Sequence, residues 1–463
     1  MNIFQKFKLD LIFSSSRNIW ERFKDLGAVL QPCRFSVIML LVALLFLLLA
    51  PQGQDVLRDL AEWDGGFSGA FGKLFLFFAA MLAWALNVWY WARVMLKFSF
   101  AEPRGLSEKQ KIRQQRMRKY VPRTLGVLAF LAVGGAFFKA SYAYPENDPG
   151  GVASTLGYLA LACMAGALLF YLFTAVRRPA ARALRTRLLS APTEKQAHYR
   201  PLIEVLDVDS GDQAYTAQLH SIKDISAVSR KVLWASMLLS LLLFLLFWIW
   251  PTSAAFFGAA TILLLAASSW VPFGSMVVYW ACTAGFPIMT ALLGIAILFS
   301  LWNDNHAIRT LQESVVSQNG TTESVGEHFP RWLQQGLERW PTDSKQPVFI
   351  VAAEGGGIRA GYWTSIVLSA LQDRDDKFSD HLYGISGVSG GSLGAAVFAA
   401  LLKEQGNNRE LNCPAGSANK NSGPLQRCAH QLLSEDFLAP TVAYMLYPDL
   451  VQRILPFPVA SFD

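Results

Sequence analysis

Long apolar stretches constrain this chain more than any other feature. The stretch FSVIMLLVALLFLLLA, residues 35–50, carries no charged side chain. A helix that crosses the hydrocarbon core of a bilayer needs roughly 17–25 mostly apolar residues. Further stretches of this kind lie at about 74–92, 124–143, 153–176 and 232–250, and two more fit within 254–302. The sequence therefore predicts a multi-pass α-helical membrane domain over residues 1–302, with about seven helices and a count of six as the alternative.

Two proline-containing segments are expected to separate the last three helices. Pro251-Thr252-Ser253 predicts a very tight turn between the fifth and the sixth. Within 254–302, Pro272 and Gly274 predict a turn near residues 270–275. Lys139 lies near the end of the third stretch and is expected to extend its ammonium group to the membrane interface.

The charge pattern predicts the orientation of these helices. Only 16% of the residues are charged and the formal net charge is +7. The basic residues cluster in the N-terminal segment and in two loops, one around residues 104–123 and one opening at Arg177-Arg178, whereas the intervening loops (QDVLRDLAEWDGG and YPENDPGG) are acidic. Basic loops face the cytoplasm. We therefore expect an integral protein of a bacterial inner membrane with a cytoplasmic N-terminus, and membrane lipids rather than nucleic acid as its partner.

A polar linker and an amphipathic helix are predicted over residues 303–345. SVGEHFPRWLQQGLERW shows helical apolar spacing that includes Trp332 and Trp340. This helix either packs on the domain that follows or lies on the bilayer surface. With seven membrane helices the chain after residue 303 is periplasmic, and with six it is cytosolic. No charged loop separates the last two stretches to decide between these.

Two glycine-rich motifs appear after residue 346, where the pattern becomes that of a soluble α/β domain. PVFIVAA predicts a buried strand, and it is followed by Gly355-Gly356-Gly357 and a helical pattern. About thirty residues later, residues 387–391 (GVSGG) fit G-x-S-x-G between a predicted strand and a predicted helix. That context is typical of a nucleophile elbow, in which the serine, here Ser389, sits on a sharp strand-to-helix turn.

Together these motifs resemble the patatin-like phospholipase family. Residues 354–360 (EGGGIRA) match the family's acidic-Gly-Gly-Gly-x-Arg-Gly motif except for Ala360 in the last position, and residues 387–391 match its Gly-x-Ser-x-Gly. The similarity covers residues 347–402. It implies a partial α/β (α/β/α, patatin-like) domain over 346–463, so the expected fold is the multi-pass helical membrane domain followed by this domain. The resemblance also implies acyl-ester hydrolysis by a Ser-Asp dyad, with no cofactor or metal.

The resemblance assigns roles to individual residues. Ser389 would attack the ester carbonyl, and main-chain amides of the glycine loop (Gly355, Gly356 and Gly357), together with that of Gly390, would hold the oxyanion. Gly387 and Gly391 would permit the tight turn around Ser389. Arg359 would steady the glycine loop, contact an anionic headgroup, or pair with Glu354.

The aspartate of the dyad is not identified. The family carries it in an Asp-Gly motif far downstream of the serine, and no Asp-Gly follows Ser389 in this sequence. The downstream candidates are Asp436, Asp449 and Asp463, and an Asp-Gly-Gly occurs upstream at Asp64. The alternatives are a fragment of a longer hydrolase and an inactive relative whose patatin-like part binds lipid or a protein partner.

The cysteines add one conditional expectation. Cys413 and Cys428 flank a loop rich in Gly, Pro, Ser and Asn, and a disulfide between them requires that the loop lie outside the cytosol. Cys163 and Cys282 lie in apolar stretches and are expected to act as small hydrophobic residues.

Overall fold

The computed structural model describes most of the chain in two compact units. One unit comprises Met1–Ala307 together with Phe437–Asp463, and the other comprises Ile308–Asp436. The described residues are 20–61, 66–98, 107–143, 151–190, 192, 219–301, 303, 324–338, 340, 345–406, 413 and 422–457. The polar linker and the candidate residues Asp64 and Asp463 lie outside them.

Six helices of the first unit are long and apolar enough to cross a membrane. They are α1 (Arg34–Leu49, which continues a helical stretch from Trp20), α3 (Gly66–Met95), α4 (Glu108–Tyr142), α5 (Val152–Leu189), α6 (Ala227–Ile249) and α8 (Ala259–Ala284). Between them lie α2 (Pro51–Asp59) and the short α7 (Ala254–Phe257), which follows a 3-10 turn at Pro251–Ser253. The predicted tight turn after the fifth membrane helix is therefore confirmed.

Small residues allow the membrane helices to approach closely. A Cβ atom on Gly126 of α4 would lie 2.4 Å from the Phe170 ring of α5, and one on Gly166 would lie 2.7 Å from the Phe130 ring. The Phe130 and Phe170 rings are themselves 5.8 Å apart. Close packing of this kind drives helix association where lipid removes the hydrophobic contribution.

The turn predicted near residues 270–275 is wrong, because α8 runs without a break through Pro272. The chain instead breaks after Ala284, where Gly285 adopts a φ of +65° and Pro287 precedes the next helix. Gly274 serves packing rather than a turn, since a Cβ atom there would lie 2.2 Å from the Phe35 ring.

The helix after this break does not meet the length of a seventh membrane helix. This helix, α9 (Ile288–Phe299), has 12 residues, which extend about 18 Å against a hydrocarbon core of about 30 Å. Six helices, the alternative count, satisfy the length requirement within the described part of the chain.

The C-terminal segment packs with the helical unit. The prediction that residues 346–463 form one domain is therefore wrong for this segment. The segment forms α14 (Leu438–Leu446) and α15 (Pro448–Gln452), which pack against α6, α7 and α8. Tyr447 is buried, with its ring 5.1 Å from that of Phe247 and its hydroxyl 3.2 Å from the Ser269 hydroxyl.

The second unit is built on a parallel pair of strands, β1 (Phe349–Ala353) and β2 (Leu382–Gly387), paired from Phe349↔Leu382 to Ala353↔Gly387. The crossover helix α11 (Gly357–Arg374) packs against α12 (Gly390–Gly406) and α13 (Pro424–Leu433). Leu368, Phe378 and Phe398 form its core under the sheet. The strand–helix–strand order predicted for residues 346–406 is confirmed. The predicted burial of the first strand is wrong, because Ala353 is the one buried residue of β1.

An amphipathic helix, α10 (Val325–Leu337), packs on this unit, in agreement with the first of the two alternatives. Its Phe329 and Trp332 rings lie 4.9 and 5.1 Å from the Tyr383 ring of β2. At the start of α10, the main-chain N–H and hydroxyl of Ser324 donate to the Glu327 carboxylate and hold the pKa of that carboxyl below its usual value.

Cys413 and Cys428 form a disulfide in the second unit. Cys428 lies in α13, where it packs with Leu401 and Leu425 in a small apolar cluster. The bond therefore ties Cys413 to the core of the unit.

Candidate functional site

Ser389 occupies the turn between β2 and α12 in a backbone conformation that few non-glycine residues adopt. Its φ is +51°, and it is the one non-glycine residue with positive φ in the described part of the chain. A left-handed backbone of this kind costs an L-residue about 1–2 kcal/mol. Strain held at a single residue is characteristic of a functional position.

Main-chain hydrogen bonds hold this turn in place. The Val388 N–H donates to the Ala353 carbonyl at 3.0 Å, which joins the end of β2 to the end of β1. The Gly391 N–H donates to the Val388 carbonyl at 3.0 Å, and the Leu393 N–H donates to the Ser389 carbonyl at 3.2 Å. The serine is thus fixed where β2 passes directly into α12.

The glycines around Ser389 are required by close contacts with the main chain. A Cβ atom on Gly390 would lie 1.9 Å from the Gly357 carbonyl oxygen, and one on Gly391 would lie 2.5 Å from the carbonyl oxygens of Ala353 and Glu354. A Cβ atom on Gly387 would lie 2.7 Å from Ser392 main-chain atoms. No side chain larger than hydrogen fits at these positions without displacing the backbone.

The glycine loop after β1 lies directly against Ser389. A Cβ atom on Gly355 would be 3.3 Å from the Ser389 Cβ and 3.2 Å from the Val388 carbonyl oxygen. Gly357 has a φ of +63°, a conformation that glycine adopts without strain. The structure therefore brings together the two motifs that the sequence separates by about thirty residues.

Two helices begin beside Ser389, α11 at Gly357 and α12 at Gly390. The first N–H groups of a helix have no intrahelical partner, and the helix dipole adds partial positive charge at that end. Main-chain donors at such a terminus are suited to hold an anion. The arrangement is therefore chemically capable of stabilising negative charge on an oxygen bound next to the Ser389 hydroxyl.

Arg359 lies in the first turn of α11 with an exposed side chain. Its position on the same helix terminus as Gly357 keeps its charge near the glycine loop. Glu354 is also exposed, at the end of β1.

The structure describes two of the candidate dyad aspartates, Asp449 and Asp436. Asp449 is 7% exposed in the helical unit, and its carboxylate accepts from Arg453 Nη2 at 3.3 Å, so this group already has a structural partner. Asp436 is the last residue of the second unit. Within the described part of the chain, no side chain donates to or accepts from the Ser389 hydroxyl, and no group of three His, Cys, Asp or Glu residues is arranged to hold a metal.

One polar contact near α11 was not predicted from the sequence. The Tyr362 hydroxyl lies 2.6 Å from His430 Nδ1 and links α11 to α13. The two residues are 68 positions apart, and no local motif marks either of them. No signal in a single sequence would have paired them.

No protein-family model, curated protein or solved structure matches this chain. Function is therefore inferred from the geometry around Ser389 and from the two motifs that form it.

Proposed function

We propose that this protein is a membrane-anchored lipid acyl hydrolase of the patatin-like kind, with Ser389 as its nucleophile. The observation that carries the proposal is the left-handed backbone of Ser389 at a strand-to-helix turn packed against the glycine loop. A strained serine in this context is the defining feature of a nucleophile elbow.

The chemistry follows from the atoms at this turn. The Ser389 Oγ attacks the carbonyl carbon of an ester and passes its proton to a base. The main-chain N–H groups of Gly356, Gly357 and Gly390 stabilise the oxyanion of the tetrahedral intermediate, and loss of one such donor lowers the rate by about 10²–10³. Collapse of the intermediate releases the alcohol and leaves an acyl-serine, which water then hydrolyses. The base in this scheme is an aspartate that is not assigned to a residue.

The proposed substrates are acylglycerol lipids of the bilayer. The six helices of the first unit would hold the hydrolase at the membrane surface, where such esters are concentrated. We propose no organic cofactor and no metal, because water is the second substrate and main-chain amides supply the electrostatic stabilisation.

We also propose that residues 308–436 face the periplasm. The six long helices alone would leave this part of the chain on the cytoplasmic side, so the proposal requires that α9 and the residues after it carry the chain across the bilayer. Two observations support this orientation. The Cys413–Cys428 disulfide is stable in an oxidising compartment and is reduced in the cytosol. The chain re-enters the helical unit at α14, which packs against α7. The α7 helix follows α6 at the end of the bundle opposite the basic ends of α4 and α5. The positive-inside rule assigns that end to the outside.

An inactive module that binds lipid or a protein partner is the second candidate. It is supported by the lack of a side-chain hydrogen bond to the Ser389 hydroxyl among the described residues. It predicts that removal of this hydroxyl changes no lipid in the membrane.

The deciding experiment is fluorophosphonate labelling of the protein in membranes. We expect labelling that Ser389→Ala abolishes and Ser386→Ala leaves intact, since Ser386 is an exposed serine on β2 and lies outside the G-x-S-x-G frame. Labelling that persists in Ser389→Ala, or that is lost equally in both variants, would contradict the assignment. If the wild type is not labelled, the non-catalytic candidate is favoured.

A further inference from the structure

A cavity of about 420 Å³ opens in the helical unit where the ends of several helices converge. It lies between the first turn of α1, the end of α3, the first half of α4 and the end of α8. Its lining includes Gln31, Arg34, Gln114, Arg118, Cys282 and Phe286. The basic residues predicted for a loop around 104–123 lie mostly in the first half of α4. The cavity therefore lies at the end of the bundle that the charge pattern assigns to the cytoplasm.

Two arginines give this cavity a positive lining. Arg34 is the first residue of α1, and Arg118 lies in α4 with one N–H donated to the Leu96 carbonyl at 3.2 Å. No carboxylate is among the described residues that line the cavity. Two guanidinium groups on one cavity favour an anion, and their planar donors match phosphate oxygens in particular.

The nearest acidic residue on the helix before α1 is already engaged. The Asp25 carboxylate forms an ion pair with Arg113 and accepts from Gln114 Nε2 at 3.0 Å. Asp25 is 3% exposed. Its charge is therefore held by α4 and does not line the cavity.

The remaining wall is apolar and adjoins a helix suited to contact lipid. Phe286 and Pro287, at the break between α8 and α9, and Phe98, just after the end of α3, are apolar residues of the lining. The α9 helix that follows has no buried residue, and Leu293 and Ile297 on it are 62% and 61% exposed. A ligand with a charged phosphate and an apolar portion is matched by both sides of the cavity.

We propose that this cavity binds a phosphate group, carried either by a phospholipid of the adjacent leaflet or by a free phosphate. Arg34 supplies the principal contact and Arg118 a second one. The apolar wall favours the lipid as the source, because a free phosphate gains nothing from Phe98 and Phe286. This site is independent of the hydrolase proposal, since none of its residues belongs to the two glycine motifs.

The test measures lipid binding to the full chain purified in detergent, by native mass spectrometry during titration with phosphatidylglycerol. We expect Arg34→Gln to weaken binding by tenfold or more. Arg230→Gln is the matched control: Arg230 is an exposed arginine near the same end of the bundle, at the start of α6, and lies outside the cavity. Its binding should equal that of the wild type.

A second variant separates loss of the site from loss of folding. Cys282→Phe fills part of the cavity and leaves both arginines in place, so it should weaken binding while the protein still elutes as a single species in size exclusion. Competition by inorganic phosphate at comparable concentrations would identify free phosphate as the ligand, and its failure to compete would identify the lipid. Equal binding by the wild type, Arg34→Gln and Cys282→Phe would overturn the proposal.

Discussion

The Asn87 side chain donates a hydrogen bond from Nδ2 to the main-chain carbonyl of Ser268 at 3.3 Å, and another to the Ser268 hydroxyl at 2.9 Å. Ser268 lies four residues before Pro272, so its carbonyl is the one that the proline leaves without an N–H partner in α8. An unsatisfied carbonyl within a membrane costs free energy that a neighbouring helix can recover. Asn87 on α3 donates the hydrogen bond that the Ser268 carbonyl lacks within α8. This contact explains why Pro272 does not end the helix.

We predict that Asn87→Leu destabilises the helical unit by about 1 kcal/mol, the order found for hydrogen bonds between membrane helices. The measurement is unfolding of the purified protein by increasing SDS in mixed micelles. The Pro272→Ala background should reduce this loss, because alanine restores an N–H for the Ser268 carbonyl. An identical loss in both backgrounds would show that the two residues are not coupled.

We predict that Gly391→Ala abolishes fluorophosphonate labelling, because the new methyl group would overlap two carbonyl oxygens at the end of β1. Gly384→Ala is the matched control within β2, since no atom lies within 4 Å of the position of its Cβ. It should keep the labelling rate of the wild type. Labelling and thermal unfolding of both variants would be compared, and equal labelling would show that the elbow geometry is not required.

We predict that Ser389→Gly is more stable than Ser389→Ala by about 0.5–1 kcal/mol. Glycine adopts positive φ without the penalty that alanine retains, although its greater freedom in the unfolded chain offsets part of the gain. Both variants lack the hydroxyl and should not be labelled, so stability is compared without a difference in function. Thermal unfolding provides the measurement, and greater stability of the alanine variant would argue against strain at Ser389.

We predict that Cys413 and Cys428 resist a thiol-reactive polymer in intact membranes until a reductant is added. The disulfide closes a loop with a sequence separation of 15, and its removal should destabilise the second unit by about 3 kcal/mol. A shift in electrophoretic mobility reports the modification. Cys428→Ser is the control, because it leaves the half-buried Cys413 without its disulfide partner, whereas the Cys428 thiol is itself buried. Full reaction of the wild type without reductant would contradict both the bond and the proposed periplasmic orientation.

Features that depend on residues close together in the sequence were predictable from it. Apolar length identified the membrane helices, because the bilayer selects for composition over a continuous segment. The strand, the glycine loop and the strand-to-helix turn at Ser389 were also predictable, since a tight turn between a strand and a helix demands small residues at fixed positions. The glycines at 387, 390 and 391 indeed stand where any side chain would meet backbone.

The tertiary structure decided the features that join distant parts of the chain. Pro272 taken alone predicts a turn, but Asn87, 181 positions away, supplies a partner for the carbonyl of Ser268 and keeps the helix intact. The sequence assigned the residues from Leu438 onward to the α/β domain, yet Trp270 Nε1 donates to the Leu446 carbonyl at 2.8 Å and helps to hold them in the helical unit. Local sequence determines whether a segment enters the membrane and where its backbone bends easily. Which groups satisfy one another across the fold depends on side chains that meet only after the helices have packed.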